Sequence, residues 1–263
     1  MDLPLLEHDF DQPGVVEPSQ VIEPSDVPSC AVLSYFADVL ESVSARSDAQ
    51  EVATLRVAHG PHPIIEIEHQ GCRLAVVQCG VGAPLAAGLM EEAIAMGCRT
   101  LVAVGGAGAL VPELTVGHAV VVESALRDEG TSFHYLPAGR SLDADPAGVA
   151  SLRQVLDDAS VPYVGGRTWT TDGVYRETRT AVNQRIAEGC ITVEMEASAL
   201  IAVARYRNVR FAQLLYAGDS LAGDEWDERG WTTATAVREQ LFWLAADACV
   251  LLGRPTAADD PVG

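Results

Sequence analysis

The chain reads as a single-domain, three-layer α/β/α protein with a central mixed β-sheet. Three observations lead there. From about Cys72 to Val250, apolar strand-like runs alternate with Ala-rich helical runs, the order expected when strands and helices are wound together. No Pro/Gly/Ser-rich linker interrupts the alternation, and 263 residues with 48% hydrophobic content suffice for one full core. A hairpin pattern sits beside the alternating units, as a mixed sheet requires.

The elements follow in order. Residues 1–28 are acidic and Pro-rich without a basic residue; such a segment buries little and is expected to be mobile or laid on the surface. Cys30 to Val43 alternates like a helix, with Ala31, Val32, Tyr35, Phe36, Val39 and Leu40 on one face. Ile64–Ile67 and Leu74–Gln78 are β-rich runs separated by Gln70-Gly71, a hairpin signal. Leu85–Met96 is helical and closed by Gly97. Thr100–Val104 is a buried strand ending in Gly105-Gly106-Ala107-Gly108, and His118–Ser124 is another strand. Ala147–Ala159 is a helix, and Val161-Pro162 opens the next strand. Cys190–Val193 is strand-like, Ala197–Arg205 helix-like, and Phe211–Ala217 apolar and strand-like. The last helix spans Thr232–Leu252, within a domain of residues 29–252; residues 253–263 are a tail.

Composition excludes several functions. A net charge of -20 is the wrong sign for nucleic acid or an anionic membrane surface, both of which need a dense basic face. All 17 basic residues are Arg, so neither a P-loop lysine nor a lysine Schiff base can exist. The six cysteines (Cys30, Cys72, Cys79, Cys98, Cys190, Cys249) form no Cys-x-x-Cys and stand near no zinc-spaced histidines, so buried reduced thiols are expected, with no metal and no organic cofactor. Met1 is followed by acids and no run reaches membrane-spanning length, so the cytoplasm is the expected compartment.

The most informative stretch is Val193-Glu194-Met195-Glu196-Ala197, where a strand gives way to a helix between two carboxylates. A third acid, Asp219, ends the next apolar run in Ala217-Gly218-Asp219-Ser220. Acids at strand ends of an α/β sheet project into the crevice where ligands bind. Their bland uses are helix N-terminal charges for the glutamates and a turn aspartate for Asp219. Gly80-Val81-Gly82-Ala83-Pro84 and Gly105-Gly106-Ala107-Gly108 each follow a strand. Either could bring backbone N–H groups close to an anion or a sugar, or serve only as a tight turn. Neither is a dinucleotide fingerprint, because Leu85 and Val111 stand where the third glycine would fall.

Together these motifs resemble the nucleoside phosphorylase family, the purine and uridine phosphorylases and related nucleosidases. The resemblance covers roughly Ser29–Leu252. Val193–Ala197 is similar to the family's ribose-binding Glu-Met-Glu segment. Ala217–Ser220 is similar to its Ser-Asp pair, with Gly218 in the serine's place, and the two glycine clusters are similar to its glycine-rich strand ends. Trp169–Thr178 resembles the base-side segment, and Thr131-Ser132-Phe133-His134-Tyr135 the segment upstream of it.

The resemblance implies a nucleoside phosphorylase-like fold and a division of labour. Glu196 would hold the ribose 2′- and 3′-hydroxyls by charge-assisted hydrogen bonds, Met195 would floor the sugar, and Glu194 would touch sugar or base-side water. Asp219 would be the general acid for the leaving base, a role that needs a raised pKa. Tyr175 would stack on the base with Val174 beside it, His134 would reach the sugar's 5′ end in this site or a neighbouring subunit's, and Phe133 would be a further substrate-binding residue. Gly82, Gly105 and Gly106 would border a phosphate or water pocket. The partner is a small-molecule nucleoside, purine or modified, with inorganic phosphate as co-substrate and the chain in a homo-oligomer.

The resemblance breaks at phosphate. The family's Arg before the second glycine-rich turn is Ala103 here, and its phosphate-contacting hydroxyl is Gly106. Its early Gly-Asp-Pro…Arg loop is missing from the expected place, Ile22–Pro28, and no arginine precedes Arg46. Three readings stay open: a phosphorylase holding phosphate by backbone amides and other arginines, a hydrolase using water, and a nucleoside-binding protein without catalysis.

Overall fold

The computed structural model describes residues 3–7, 9–10, 12–58 and 60–254. Its strands are β1 (Cys30–Ser34), β2 (Gln50–Val57), β3 (Gly60–His69), β4 (Cys72–Gln78), β5 (Thr100–Ala109), β6 (Ala119–Asp128), β7 (Ser141–Asp143), β8 (Tyr163–Thr171), β9 (Cys190–Glu194) and β10 (Arg210–Ser220). Its helices are α1 (Pro18–Val21), α2 (Ala37–Ser44), α3 (Ala83–Met96), α4 (Pro146–Asp158), α5 (Arg179–Ala187), α6 (Ala197–Arg207) and α7 (Thr235–Leu252). All belong to the expected three-layer arrangement around one mixed sheet.

β5 organises that sheet. It pairs in parallel with β1 on one side and β10 on the other, and its last residues, Gly108 and Ala109, pair antiparallel with Val193 and Thr192 of β9. β10 runs on through β6 and β8 back to β9, so five strands close into a ring that includes β5. β1, β4, β3 and β2 extend from β5 as an open wing. Side-chain alternation divides the core. Leu33, Leu101 and Ala103 face α3 and α6, whereas Val32, Val102 and Val104 face α2 and α7.

Local chemistry fixes the elements. Gln70 and Gly71 both take positive φ, 52° and 73°, the requirement of a tight β3–β4 hairpin turn. α3 has Pro84 in its first turn and ends on Gly97 at φ 144°. Asp145 caps α4 by accepting from the Ala147 amide at 2.9 Å, ahead of Pro146 at the first helical position.

Three expectations change. Cys30–Val43 is not one helix but β1 followed by α2. β1 is covered on both faces, so its unbroken apolar run imitates a helix face in sequence. The strand from Thr100 does not stop at the glycine cluster but runs through it to Ala109. β2, β7 and α5 have no counterpart in the sequence reading; α5 shows no apolar stripe and buries only Val182.

The acidic N-terminal segment lies on the body. Glu17 pairs with Arg207 at 2.8 Å, Asp26 pairs with Arg73 at 2.8 Å, and the Ser25 amide donates to the Met96 carbonyl. Residues 1, 2, 8 and 11 of that segment, and 255–263 of the tail, lie outside the described residues. Among the described residues no helix is long and apolar enough to cross a membrane.

Candidate active site

A cavity of about 570 Å³ opens where β5, β9 and β10 meet beneath the start of α7. Its wall is the glycine run Gly105–Gly108, where side chains would collide with neighbours. A Cβ on Gly105 would stand 3.0 Å from the Tyr35 ring, one on Gly106 3.0 Å from the Tyr216 ring, and one on Gly108 2.7 Å from Leu221. Beside this wall, β10 pairs with β5 in register to Ala217 and resumes only at Ser220. That bulge frees Gly218 and Asp219 from the ladder and turns Asp219 into the cavity.

The two glutamates do different work. Glu194 ends β9, and its carboxylate is fully engaged. It accepts from the Glu196 and Ala197 amides, each at 2.7 Å, and from the Thr170 hydroxyl at 2.6 Å. It therefore caps the N-terminus of α6, and burial raises its pKa against those bonds. Glu196 accepts from the Gly82 amide at 2.6 Å and the Met195 amide at 3.3 Å, which places it between the starts of α3 and α6. Burial, and then the charge of Glu194, push its carboxyl up to about 8. With only two backbone donors, Glu196 keeps acceptor capacity for a ligand's hydroxyls.

At the other end of the cavity, Asp219 accepts from the indole N–H of Trp226 at 2.7 Å, and Trp226 is itself exposed at the mouth. Glu177 lines the same end and makes no hydrogen bond or ion pair among the described residues. Desolvation and the Asp219 charge raise its carboxyl to about 7. Arg238 of α7 is the one basic residue among the described cavity-lining residues, and it donates to Asp38 at 2.8 Å. Among the described residues no group of three or more His, Cys, Asp or Glu is placed to hold a metal ion.

The structure thus brings Glu194, Met195, Glu196, Asp219, Val174, Gly105 and Gly106 to one cavity. Gly82 stands behind it, its amide spent on Glu196. Tyr175 is 94% exposed and outside the lining. Phe133 and His134 sit in the turn Thr131–His134, also outside the lining, with the Phe133 ring 4.0 Å from the Arg127 guanidinium carbon. The segment that follows β1 and borders the cavity is Tyr35–Asp38, a two-residue connection and the first residues of α2, and Ile22–Pro28 lies outside the lining. Ala103 is fully buried in the core.

Sequence reasoning missed Glu177, Arg238, Tyr35 and Gln213. Glu177 was within reach, because it belongs to the Trp169–Thr178 stretch already singled out. The other three carry no local pattern; Arg238 arrives from the last helix, far along the chain.

Comparison with known proteins agrees with this architecture. The family described as the phosphorylase superfamily matches residues 30–242. A guanosine phosphorylase of Halorubrum lacusprofundi is 25% identical over 81% of this chain and 89% of its own length. Uridine phosphorylases of Thermococcus kodakarensis and Treponema pallidum are each 29% identical, over 58% and 54% of this chain and over 54% and 59% of their own lengths. The match thus spans little more than half of either uridine phosphorylase. Among solved structures, a purine nucleoside phosphorylase from Toxoplasma gondii superposes with a TM-score of 0.76 at 20% identity, over 88% of this chain and 96% of that one. A uridine phosphorylase from Vibrio fischeri gives 0.74 at 22% identity, over 88% and 95%. At such identities the structural likeness shows the fold.

Proposed function

The chain belongs to the phosphorylase superfamily, and from that membership and the cavity's geometry we propose that it cleaves the N-glycosidic bond of a purine nucleoside by phosphorolysis. One observation carries the reading: Met195 and Glu196 at the β9–α6 junction and Asp219, about two dozen residues further along, line a single cavity of about 570 Å³, within the range of small-molecule sites. In the reaction an oxygen of phosphate bonds to C1′ of ribose as the C1′–N9 bond breaks. The bond's electron pair leaves with the purine, which takes at N7, through Asp219, the proton held by the Asp219–Glu177 pair. The products are ribose 1-phosphate and free base.

Each end of the cavity suits its share of the charge. Positive charge grows on the ribose ring beside Glu196, where hydrogen bonds from the 2′- and 3′-hydroxyls favour the ionised carboxyl. Negative charge grows on the base beside Asp219, which supplies the proton. Glu177, unpartnered beside Asp219, suits the N1–H and 2-amino donors of guanine, in keeping with the guanosine phosphorylase relative. Residues 29–252 form the catalytic domain in this reading, placed in the cytoplasm. A homo-oligomer would cover the exposed Val81, Tyr175 and Trp226 around the mouth.

One observation favours hydrolysis as a second reading. Ala103 is fully buried where the family carries its phosphate arginine, and Arg238, the lining cation, is paired with Asp38. Incubation with a nucleoside panel, with and without phosphate, followed by identification of the sugar, decides between them. Ribose 1-phosphate supports the first reading, free ribose formed without phosphate the second, and no turnover in either condition removes both.

A further inference from the structure

Two polar side chains in the cavity wall are buried without an oxygen or nitrogen partner. Gln213 of β10 is 2% exposed, and neither its amide nitrogen nor its amide oxygen makes a hydrogen bond. The Tyr35 hydroxyl, just past β1, is equally enclosed, and its only hydrogen-bonding neighbour among the described residues is the weakly bonding Cys79 thiol. Both residues line the cavity. A buried amide or hydroxyl left unpaired loses its water without compensation, so two such side chains in one wall need a reason.

Their position supplies one. Gln213 lies directly across from Ala103 in the β10–β5 ladder, so its side chain flanks the position where the family carries its phosphate arginine. Tyr35 borders the same stretch from the other side: its amide donates to the Val104 carbonyl at 3.2 Å, and its ring packs on Gly105. The Tyr35 hydroxyl also lies close enough to Glu196 to feel its charge, with the Cys79 thiol, a weak partner, beside it. β1 and β10 thus carry two neutral hydrogen-bonding groups to either side of β5, next to the carboxylate that grips the sugar.

We propose that the Tyr35 hydroxyl and the Gln213 carboxamide form the nucleophile's subsite, holding an oxygen nucleophile beside C1′ with neutral donors and acceptors in place of a guanidinium. The inference rests on the nucleoside-cleaving reading of the cavity. The shared chemistry is an oxygen atom bearing lone pairs and protons, which both protonated phosphate and water present. Tyr35 offers one donor and Gln213 two donors and one acceptor, a set that fixes such a group without adding charge beside two buried carboxyls. Atoms balance in either case. The nucleophile's oxygen bonds to C1′, the C1′–N9 electrons leave with the base, and the nucleophile's proton passes to solvent.

The test uses Tyr35→Phe and Gln213→Leu, which keep shape and remove the orphaned groups. Both variants are expected to melt at or above the wild-type temperature, because an unsatisfied buried group is gone. Both are expected to lose activity by about 10- to 100-fold per variant, the range of one or two hydrogen bonds. If phosphate is the nucleophile, the loss appears as a raised KM for phosphate at unchanged KM for nucleoside. If water is, it appears in kcat of the phosphate-independent reaction, again at unchanged nucleoside KM. A structural role alone would move neither. Variants with wild-type kinetics, or with only the nucleoside KM raised, overturn the inference. If the wild type turns over no nucleoside, the functional reading fails on its own. The subsite is then judged by a crystal structure grown in phosphate: a water or phosphate oxygen bridging Tyr35 and Gln213 sustains it, and orphaned groups with no bridging atom overturn it.

Discussion

Replacing Glu196 with glutamine separates what the site asks of that carboxyl from what the fold tolerates. In the free protein the carboxyl is moved from its ordinary 4.5 to about 8, chiefly by burial and then by the charge of Glu194. The folded state therefore holds the proton more tightly than the unfolded state does. The stabilising contribution is complete below pH 4.5 and is lost as pH climbs toward 8. Each tenfold change in proton affinity is about 1.4 kcal/mol, which bounds the loss at ~5 kcal/mol. Part of that belongs to the pair with Glu194, so about half, ~2.5 kcal/mol, is the working figure. For a chain of this length it corresponds to roughly 5–10 °C in Tm. Glutamine removes the titration, although its amide nitrogen meets the Met195 N–H and gives back ~1 kcal/mol at every pH. The expected result is a Tm difference, variant minus wild type, that is near zero or slightly negative at pH 5 and rises by 5 °C or more at pH 9. In the same preparation kcat/KM should fall about 100-fold, because the charge-assisted bonds to the ribose hydroxyls are worth about 3 kcal/mol together. Scanning calorimetry at five pH values with a coupled base-release assay reads both. A Tm difference that stays flat with pH, or unchanged turnover, refutes the reasoning.

The remaining expectations concern single contacts. Asp219→Asn should lower kcat by 10²- to 10⁴-fold, the usual contribution of a general acid, and leave Tm within a degree or two because asparagine still accepts from Trp226. Full activity with guanosine at neutral pH would remove Asp219 from the mechanism. Glu177→Gln should cut kcat/KM for guanosine by about 10-fold or more while adenosine changes little, since one acceptor for the guanine donor edge is lost. Equal effects on both nucleosides would contradict base reading by Glu177. Gly148→Ala should destabilise by ~2 kcal/mol, seen as a Tm drop of several degrees, because its Cβ would sit 2.5 Å from the Phe211 carbonyl where α4 packs on β10.

The site was more legible in the sequence than the elements around it. Glu194, Met195 and Glu196 declared themselves because charge at a strand-to-helix junction has few cheap explanations, and Asp219 because it closes a run otherwise wholly apolar. Their separate roles were not legible. Glu194 is spent on the first amides of α6 and Glu196 is not, and that distinction depends on side-chain direction at the junction. The bulge between Ala217 and Ser220 that frees Asp219 leaves no mark that Gly218 alone would reveal. β1 is buried on both faces, so its apolar run reads as a helix in the sequence and hides that Tyr35–Asp38, directly after it, borders the cavity. The same misreading hid Tyr35 on a helix face. Gln213 sits inside an apolar run, where one amide reads as tolerated rather than aimed.

The most direct measurement is a crystal structure with 9-deazaguanosine, whose C–C glycosidic bond cannot be cleaved. The account predicts the ribose 2′- and 3′-oxygens within hydrogen-bond distance of Glu196, the sugar resting on Met195, and the purine's five-membered edge facing Asp219. A nucleoside bound elsewhere, with Glu196 still held by nothing beyond the Gly82 and Met195 amides, would contradict it.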